Sequence, residues 1–447
     1  MKIYDITKFC RNHGLVGESH VAITMTAVAI SGKPIGFGIE ASAGAGKTET
    51  LNTIFAIEGK NHGLIDQKYV SFWESGSNTA LYYKSDEINE KPILVSTELQ
   101  KDKGDNTIEA FKSMTEGKSA KRNVTNMAQG TVDTQEIKPK TVIYSLAVEN
   151  DYKTGAELQR RFITMSTDVS KKQTEDVLRV KGMGRWDKKS TECMTDLDVQ
   201  KVKRSVNSLI PMKYNVLNPF APFISEIMAR IAPDQKIRST SSHFFNVVEG
   251  VTKLNLNQYG APIMISEGDS ISVLVNIQDV YQTLDIYKNS FIRDIHGIPP
   301  QGDIVLNSFD SIDMFMDETP KDSKGNVNLG VYVDNKKSGA VWYDVQDIKK
   351  AIHKGQNVAM KTAIVKDMCD RLVDAGYLSS MKDGAMWKYK VEDKYTEFKN
   401  PSYTELLDSA KTLVKDKYPE RYEQWLEIQS KDYTHPITGE VIKTIDL

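Results

Sequence analysis

The chain reads as an α/β protein: a parallel sheet with helices on both faces, then a helical lid, then a small C-terminal unit in winged-helix order. Three observations carry that reading. Short apolar runs such as Ile93–Val95 and the stretch from Thr141 to Asn150 alternate with helical spacings, as expected where strands are covered on both faces. A loop of small residues joins one strand to a helix in the order that grips phosphate. Beyond residue 345, two helical spacings give way to two alternating strands around Lys382, Asp383 and Gly384, a hairpin signal.

At 447 residues the chain exceeds one hydrophobic core, so about two to four domains are expected. Hydrophobic residues make up 40% and charged residues 26%, and no run of about 18 apolar residues offers a membrane span. The first residues lack the apolar stretch of a secretory signal, which points to the cytoplasm. Cys10, Cys193 and Cys369 lie too far apart for a zinc or disulfide framework and read as buried thiols. The seven histidines show no metal-binding spacing. A net charge of −2 means that any nucleic-acid surface must be local.

Residues 1–30 read as a helical collar, with helices over 5–10 and 20–30; the second is apolar on most faces and suits packing on the core. The core itself is expected over 31–170. Its apolar residues Ile35, Phe37 and Ile39 lead into Ala41, Ser42, Ala43, Gly44, Ala45, Gly46, Lys47 and Thr48. This fits G-x-x-x-x-G-K-[ST] except that Ala41 replaces the first glycine, an acceptable change where positive φ is not needed. Backbone N–H groups of Ala43 to Gly46, with the helix start continuing through Glu49, would cradle phosphates. Lys47 would reach the β- and γ-phosphates of ATP, and the Thr48 hydroxyl would hold Mg²⁺. The plainer alternative is an ordinary glycine-rich turn.

A strand over 68–73 follows, then the apolar run ending at Ser96, Thr97 and Glu98. A carboxylate at that strand end orients the water that attacks phosphate, which suits Glu98. The residue before it, Thr97, stands where an aspartate commonly helps to hold the metal. After a helix over 106–116, alternation around Gln129 and Gly130 reads as a hairpin. Lys118, Lys121, Arg122, Lys138 and Lys140 outnumber Asp133 and Glu136 there, so the hairpin is locally basic and suits a phosphate backbone, with Lys121 and Arg122 the leading contacts. A solvated surface hairpin is the other reading. The strand from Thr141 ends at Asn150, which would position the attacking water, with Ser145 a weaker candidate. Arg160 or Arg161 would reach the γ-phosphate of a neighbouring subunit, or else form a structural ion pair.

This order of phosphate loop, strand ending in glutamate, basic hairpin, strand ending in asparagine and Arg-Arg-Phe resembles an AAA+ ATPase. The hairpin just before the Asn150 strand is similar to the clade of the minichromosome-maintenance helicases. The stretches YYKSDEINEKPILVSTELQ from Tyr82 and ELQRRFITMSTDVSKKQTEDVLR from Glu157 resemble primase-associated replication ATPases of archaeal and phage mobile elements. Those relatives also tend to lack the acid before the glutamate, so the resemblance makes Thr97 less exceptional. It covers about residues 15–290 and implies a ring-shaped homo-oligomer, expected to be a hexamer, with ATP between copies.

Residues 171–295 are expected to form the helical lid, with helices starting near 170, 218, 243 and 276. The resemblance places a nucleotide-sensing arginine there, for which Arg238 is the candidate. Residues 296–335 read as a linker around a helix over 307–316. Residues 336–396 carry nine Lys and Arg against five Asp between Val345 and Val391. In a winged helix, Lys361, Lys366 and Arg371 would face phosphate or the major groove, with Lys382 on the wing; a protein-contact role is the alternative. Residues 397–447 read as two helices and a hairpin or extended end able to dock on a partner. The expected function is an ATP-driven DNA helicase or replication-initiation motor on single-stranded or forked DNA, with a primase or other replication protein as a possible associate. The alternatives are an ATP-switched initiator or loader without unwinding activity and a protein-remodelling ATPase.

Overall fold

A computed structural model describes residues 1–41, 44–57, 63–74, 80–97, 99, 105–126, 131–147, 161–168, 171–187, 193–231, 237–267, 270–296, 298, 301–309, 312, 342–356, 358–392 and 400–447. At its centre is a five-stranded, wholly parallel sheet flanked by helices, an α/β architecture compatible with a phosphate-loop core. Its strands are β1 (Gly36–Ala41), β2 (Val70–Trp73), β3 (Ile93–Ser96), β6 (Thr141–Ala147) and β7 (Phe162–Met165), in the order β2-β3-β6-β1-β7. Strands β4 (Ala120–Asn126) and β5 (Thr131–Ile137) form the expected hairpin apart from this sheet.

Residues alternate between the two sheet faces, and both are buried. Phe37, Ile39, Ile93, Val95, Ile143 and Ile163 join the larger core, whereas Leu94, Val142, Tyr144 and Phe162 join a second one with Phe111 and Met114. On β1 the second-face positions are Gly36, Gly38 and Glu40. A Cβ on Gly38 would stand 2.4 Å from the Tyr144 ring, and one on Gly36 would stand 2.2 Å from Phe162. The glycines in this strand therefore make room for two aromatic rings from β6 and β7.

The first two helices are α1 (Tyr4–Asn12) and α2 (Ser19–Ile30). Eleven of the 12 residues of α2 are buried, which fits a helix apolar all round. It lies against α3 (Lys47–Phe55), β1 and β6, as its sequence led one to expect. Short helices α4 (Ala80–Tyr83) and α5 (Ser85–Asn89) and the longer α6 (Asp105–Thr115) complete the core. Among the described residues, no helix is long and apolar enough to cross a membrane.

Residues 171–295 hold helices α7 (Lys171–Trp186), α8 (Asp196–Leu209), α9 (Ala221–Ile231), α10 (Ile237–Leu254) and α11 (Ile277–His296). They are not wholly helical. β8 (Asn215–Leu217), β9 (Met264–Glu267) and β10 (Ser270–Leu274) form a mixed sheet in the order β8-β10-β9. Ser270 to Leu274 alternates polar and apolar residues, a strand signal that a purely helical reading overlooks.

Helix α12 (Gln301–Phe309) begins earlier than the helix expected over 307–316, and it packs on α13 (Val345–Gln356) and α14 (Thr362–Asp374). Strands β11 (Tyr343–Asp344), β12 (Leu378–Asp383) and β13 (Met386–Val391) complete this unit as an antiparallel sheet in the order β11-β13-β12. Among the described residues this unit thus packs three helices where two were expected, the first drawn from the stretch read as linker.

The end of the chain folds back on its own chain. Helices α15 (Tyr403–Lys417) and α16 (Pro419–Gln429) precede the hairpin of β14 (Tyr433–Thr434) and β15 (Val441–Ile442). Thr7 donates to the Pro436 carbonyl at 2.6 Å, and Gln278 and Gln282 on α11 donate to carbonyls of Lys431 and Thr434 at 2.7 and 2.9 Å. Cys10 and Cys369 are buried as expected, whereas Cys193 is exposed.

Candidate functional site

Parallel strands bring all their carboxyl ends to one edge, and the register fixes which ends are neighbours. Ala41 at the end of β1 pairs with Ala147 at the end of β6, and Ser96 at the end of β3 pairs with Tyr144. The loop after β1, the residues after Ser96 and those after Ala147 therefore leave the sheet side by side. Ser42, Ala43, Glu98, Asn150 and Arg160 lie outside the described residues, but the strand ends that lead to Glu98 and Asn150 are in place.

Gly44 and Gly46 have φ of +77° and +83°, a left-handed conformation that disfavours any side chain. A Cβ on either would meet nothing within 4 Å, so the demand for glycine there is conformational. Ala41 closes β1 in extended backbone, which explains why the first motif position tolerates alanine. Lys47 opens α3 while buried, and its Nζ donates to the Ala41 carbonyl at 2.8 Å. Ala45 is half-buried, and Thr48 and Glu49 are exposed on the first turn. Left-handed glycines, a helix N-terminus, an ammonium at the loop base and an exposed hydroxyl suit a triphosphate with Mg²⁺.

Two tethers fix the strand end that leads to Glu98. The Ser145 hydroxyl donates to the Thr97 carbonyl, and Leu99 N–H donates to the Ser145 carbonyl at 2.9 Å. Ser145 is thus used in holding this segment against β6. Glu40 is fully buried beneath the loop and accepts from Tyr144 OH at 2.6 Å.

A buried polar group along the outer strand β7 was not foreseen from the sequence. Arg293 near the end of α11 donates to Ser166, one residue beyond β7, at 2.9 Å. Its neighbour Asp294 accepts from Thr164 and Tyr287 at 2.9 and 3.1 Å, and burial pushes its carboxyl up to about 7. Glu18, before α2, accepts from the Asp168 N–H at 2.9 Å, and burial pushes it up to about 8. Burial, with Arg293 nearby, lowers His20 to about 4. These residues are scattered over 276 positions and share no motif, so only the fold gathers them (294 − 18 = 276). Arg238, by contrast, is exposed in the first turn of α10; the arginine held beside β7 is Arg293.

Arg161 precedes β7 at the opposite sheet edge, since Phe162 pairs with Gly36. Five residues of strand, about 17 Å, separate that level from Ala41. Arg161 therefore stands away from its own glycine loop, and within the chain it forms an ion pair with Glu116.

The β4–β5 hairpin also joins the sheet at that far edge, before β6. Asn89 ties it down, donating to the Glu136 carbonyl and accepting from Lys138 N–H, both at 2.8 Å. Lys121 is exposed opposite Glu136, at 3.7 Å. Arg122 is half-buried, with one guanidinium nitrogen enclosed and unpaired, close enough to Tyr82 to act on its hydroxyl. Lys140 leaves the basic count: it is buried, donates to carbonyls of Ile88 and Lys91, and desolvation lowers it to about 8.

In the C-terminal unit, Lys361 caps α14 and Lys382 is exposed on the hairpin. Lys366 pairs with Asp370 at 2.6 Å, and Arg371 pairs with Asp367 at 3.2 Å, so acids on the same helix offset both charges. Lys366 also lies over the Trp387 ring, 5.4 Å from its centroid. That hairpin exposes Met386 and Trp387 beside its cations, a surface more apolar than the charge count suggested.

No family model and no curated protein matches the chain. One solved structure that does is the A-form apo structure of the NrS-1 C-terminal region, at 12% identity and a TM-score of 0.26. The match covers 88% of this chain and 75% of that one. A likeness at that score carries no argument.

Proposed function

We propose that this chain is a P-loop ATPase of the AAA+ type that works as a ring of copies on DNA, as a helicase or replication-initiation motor. The observation that carries the ATP reading is the single sheet edge where the left-handed glycines, Lys47 and the tethered strand end before Glu98 converge. In this reading the loop N–H groups and Lys47 bind the phosphates, Glu98 takes a proton from the attacking water and Asn150 orients that water. Mg²⁺, held through Thr48, would supply positive charge to the phosphate oxygens. Arg161 lies too far from its own loop to serve it, which supports action on a neighbouring copy after release from Glu116. Arg160 remains the alternative finger.

The DNA part rests on the exposed Lys121 of the hairpin and on Lys361 and Lys382 of the C-terminal unit, read as a winged helix from its three helices and antiparallel sheet. The initiator or loader reading keeps one specific support: Thr97 offers no charge to the metal, which suits slow turnover. ATP hydrolysis and unwinding of a forked duplex, measured together on wild type, Lys47→Ala and Glu98→Gln, separate these readings. The motor reading requires DNA-stimulated turnover and unwinding, both lost in the two variants. Turnover without unwinding would leave the initiator or loader, and failure of wild type to bind ATP would end both.

A further inference from the structure

Two carboxylates lie below the phosphate loop, and the chemistry proposed above uses neither. Glu40 is fully buried one residue before Ala41, whose carbonyl receives Lys47 Nζ. Asp294 is half-buried near the end of α11, and hydroxyls supply its hydrogen bonds: Thr164 at 2.9 Å to one oxygen, Tyr287 at 3.1 Å to the other. Thr164 thereby ties the helix end to β7. In the sheet register Thr164 pairs with Gly38, and Gly38 pairs on its other side with Tyr144 of β6. Residues two apart on a strand share a face, so Glu40 lies on the same face as Thr164. A side chain on Gly38 would occupy the space of the Tyr144 ring, whose hydroxyl donates to Glu40 at 2.6 Å. The glycine thus keeps this face open for a polar row that runs from β6 across β1 and β7 to α11.

The charges in that row act on one another. Burial chiefly lifts the Asp294 carboxyl to about 7; Arg293 opposes the lift, and the Glu40 charge adds to it. Burial keeps the Tyr287 hydroxyl neutral and lowers His20 of α2 and His243 of α10 to about 4. Glu18, raised to about 8, and Asp168 stand together on the α2 side, while Tyr281, Tyr403 and Glu405 meet at the other end of α11. Around neutral pH, Asp294 and Glu18 are therefore the carboxyls of this group that change charge. Three residues of strand, about 10 Å, separate the level of Gly38 and Thr164 from Ala41. At that range a negative charge on Asp294 opposes a triphosphate in the loop.

We infer that Asp294 is a positioning residue for the proposed ATP site: pinned to β7 by Thr164, it couples the end of α11 to the strand beside β1 and sets the negative charge beneath the phosphate loop. Nucleotide binding then draws one proton from solvent onto Asp294, and rising pH weakens binding. The inference deepens the ATP reading and rests on it.

The test is titration calorimetry of the full chain with Mg²⁺ and a slowly hydrolysed ATP analogue, at pH 6, 7 and 8. Wild type should lose about three- to tenfold in affinity between pH 6 and 8 relative to Asp294→Asn, whose side chain stays neutral. Repeating the titration in buffers of different ionisation enthalpy near pH 7.5 should show wild type taking up as much as about half a proton more than the variant. Thr164→Val keeps the carboxyl but removes a donor that favours its charged form, so the fall in affinity should move to higher pH. Equal pH responses in wild type and Asp294→Asn, or an unmoved fall in Thr164→Val, overturn the inference while leaving the ATP site standing. A response lost in Glu18→Gln and kept in Asp294→Asn assigns it to Glu18 and also overturns the inference. A wild type that binds no nucleotide at any pH overturns both.

Discussion

Replacing Glu18 by glutamine should stabilise this protein, and increasingly so as pH rises. Glu18 is 3% exposed; one carboxylate oxygen accepts from the Asp168 N–H, and the other is enclosed without a partner. Burial is the main cause that lifts its carboxyl from 4.5 to about 8, and the nearby Asp168 charge adds to it. Because the folded value lies above the unfolded one, the folded state binds the extra proton between them. The resulting stability is complete below about pH 4.5 and is lost as pH climbs towards 8. At pH 7 the deficit relative to a group that stays neutral is about 3 kcal/mol, and at pH 5 it is under about 1 kcal/mol. Glutamine has the shape of the protonated acid and does not titrate. Glu18→Gln should therefore match wild type near pH 5 and exceed it by about 3 kcal/mol at pH 7, or about 3 °C in melting temperature for a chain of this length. Urea unfolding and thermal melts from pH 5 to 9 provide the assay. A difference that stays flat with pH, or a variant that is weaker than wild type at pH 8, would refute the reasoning.

Other consequences can be checked with equally simple measurements. Gly38→Ala should cost about 1–3 kcal/mol in urea unfolding, because its Cβ would sit 2.4 Å from the Tyr144 ring; an unchanged midpoint would mean that the ring moves freely. Gly46→Ala meets no atom, so it should lose only about 1–2 kcal/mol from its left-handed backbone while weakening ATP binding in titration calorimetry. Under the DNA reading, Lys121→Ala should lower the slope of log affinity against log salt by about 1, whereas Arg122→Ala, at a half-buried position of β4, should reduce thermal stability as well.

Local chemistry made much of this protein legible in its sequence. The continuous apolar run over 93–95 and the largely apolar stretch over 141–147 announced strands covered on both faces, and the spacing of Gly44, Gly46 and Lys47 announced the turn into α3, because both depend on neighbours a few positions away. The hairpin at 120–137 and the paired strands at 378–391 were visible for the same reason. What the chain order could not give was anything set by contact across distance. Whether Lys140 is a surface cation or a buried clamp on Ile88 and Lys91 depends on where α5 lies. The gathering of Glu18, Asp168, Arg293 and Asp294 around β7, and the folding of the C-terminal hairpin onto α1 and α11, required tertiary structure, since burial and long-range hydrogen bonds have no period in a sequence.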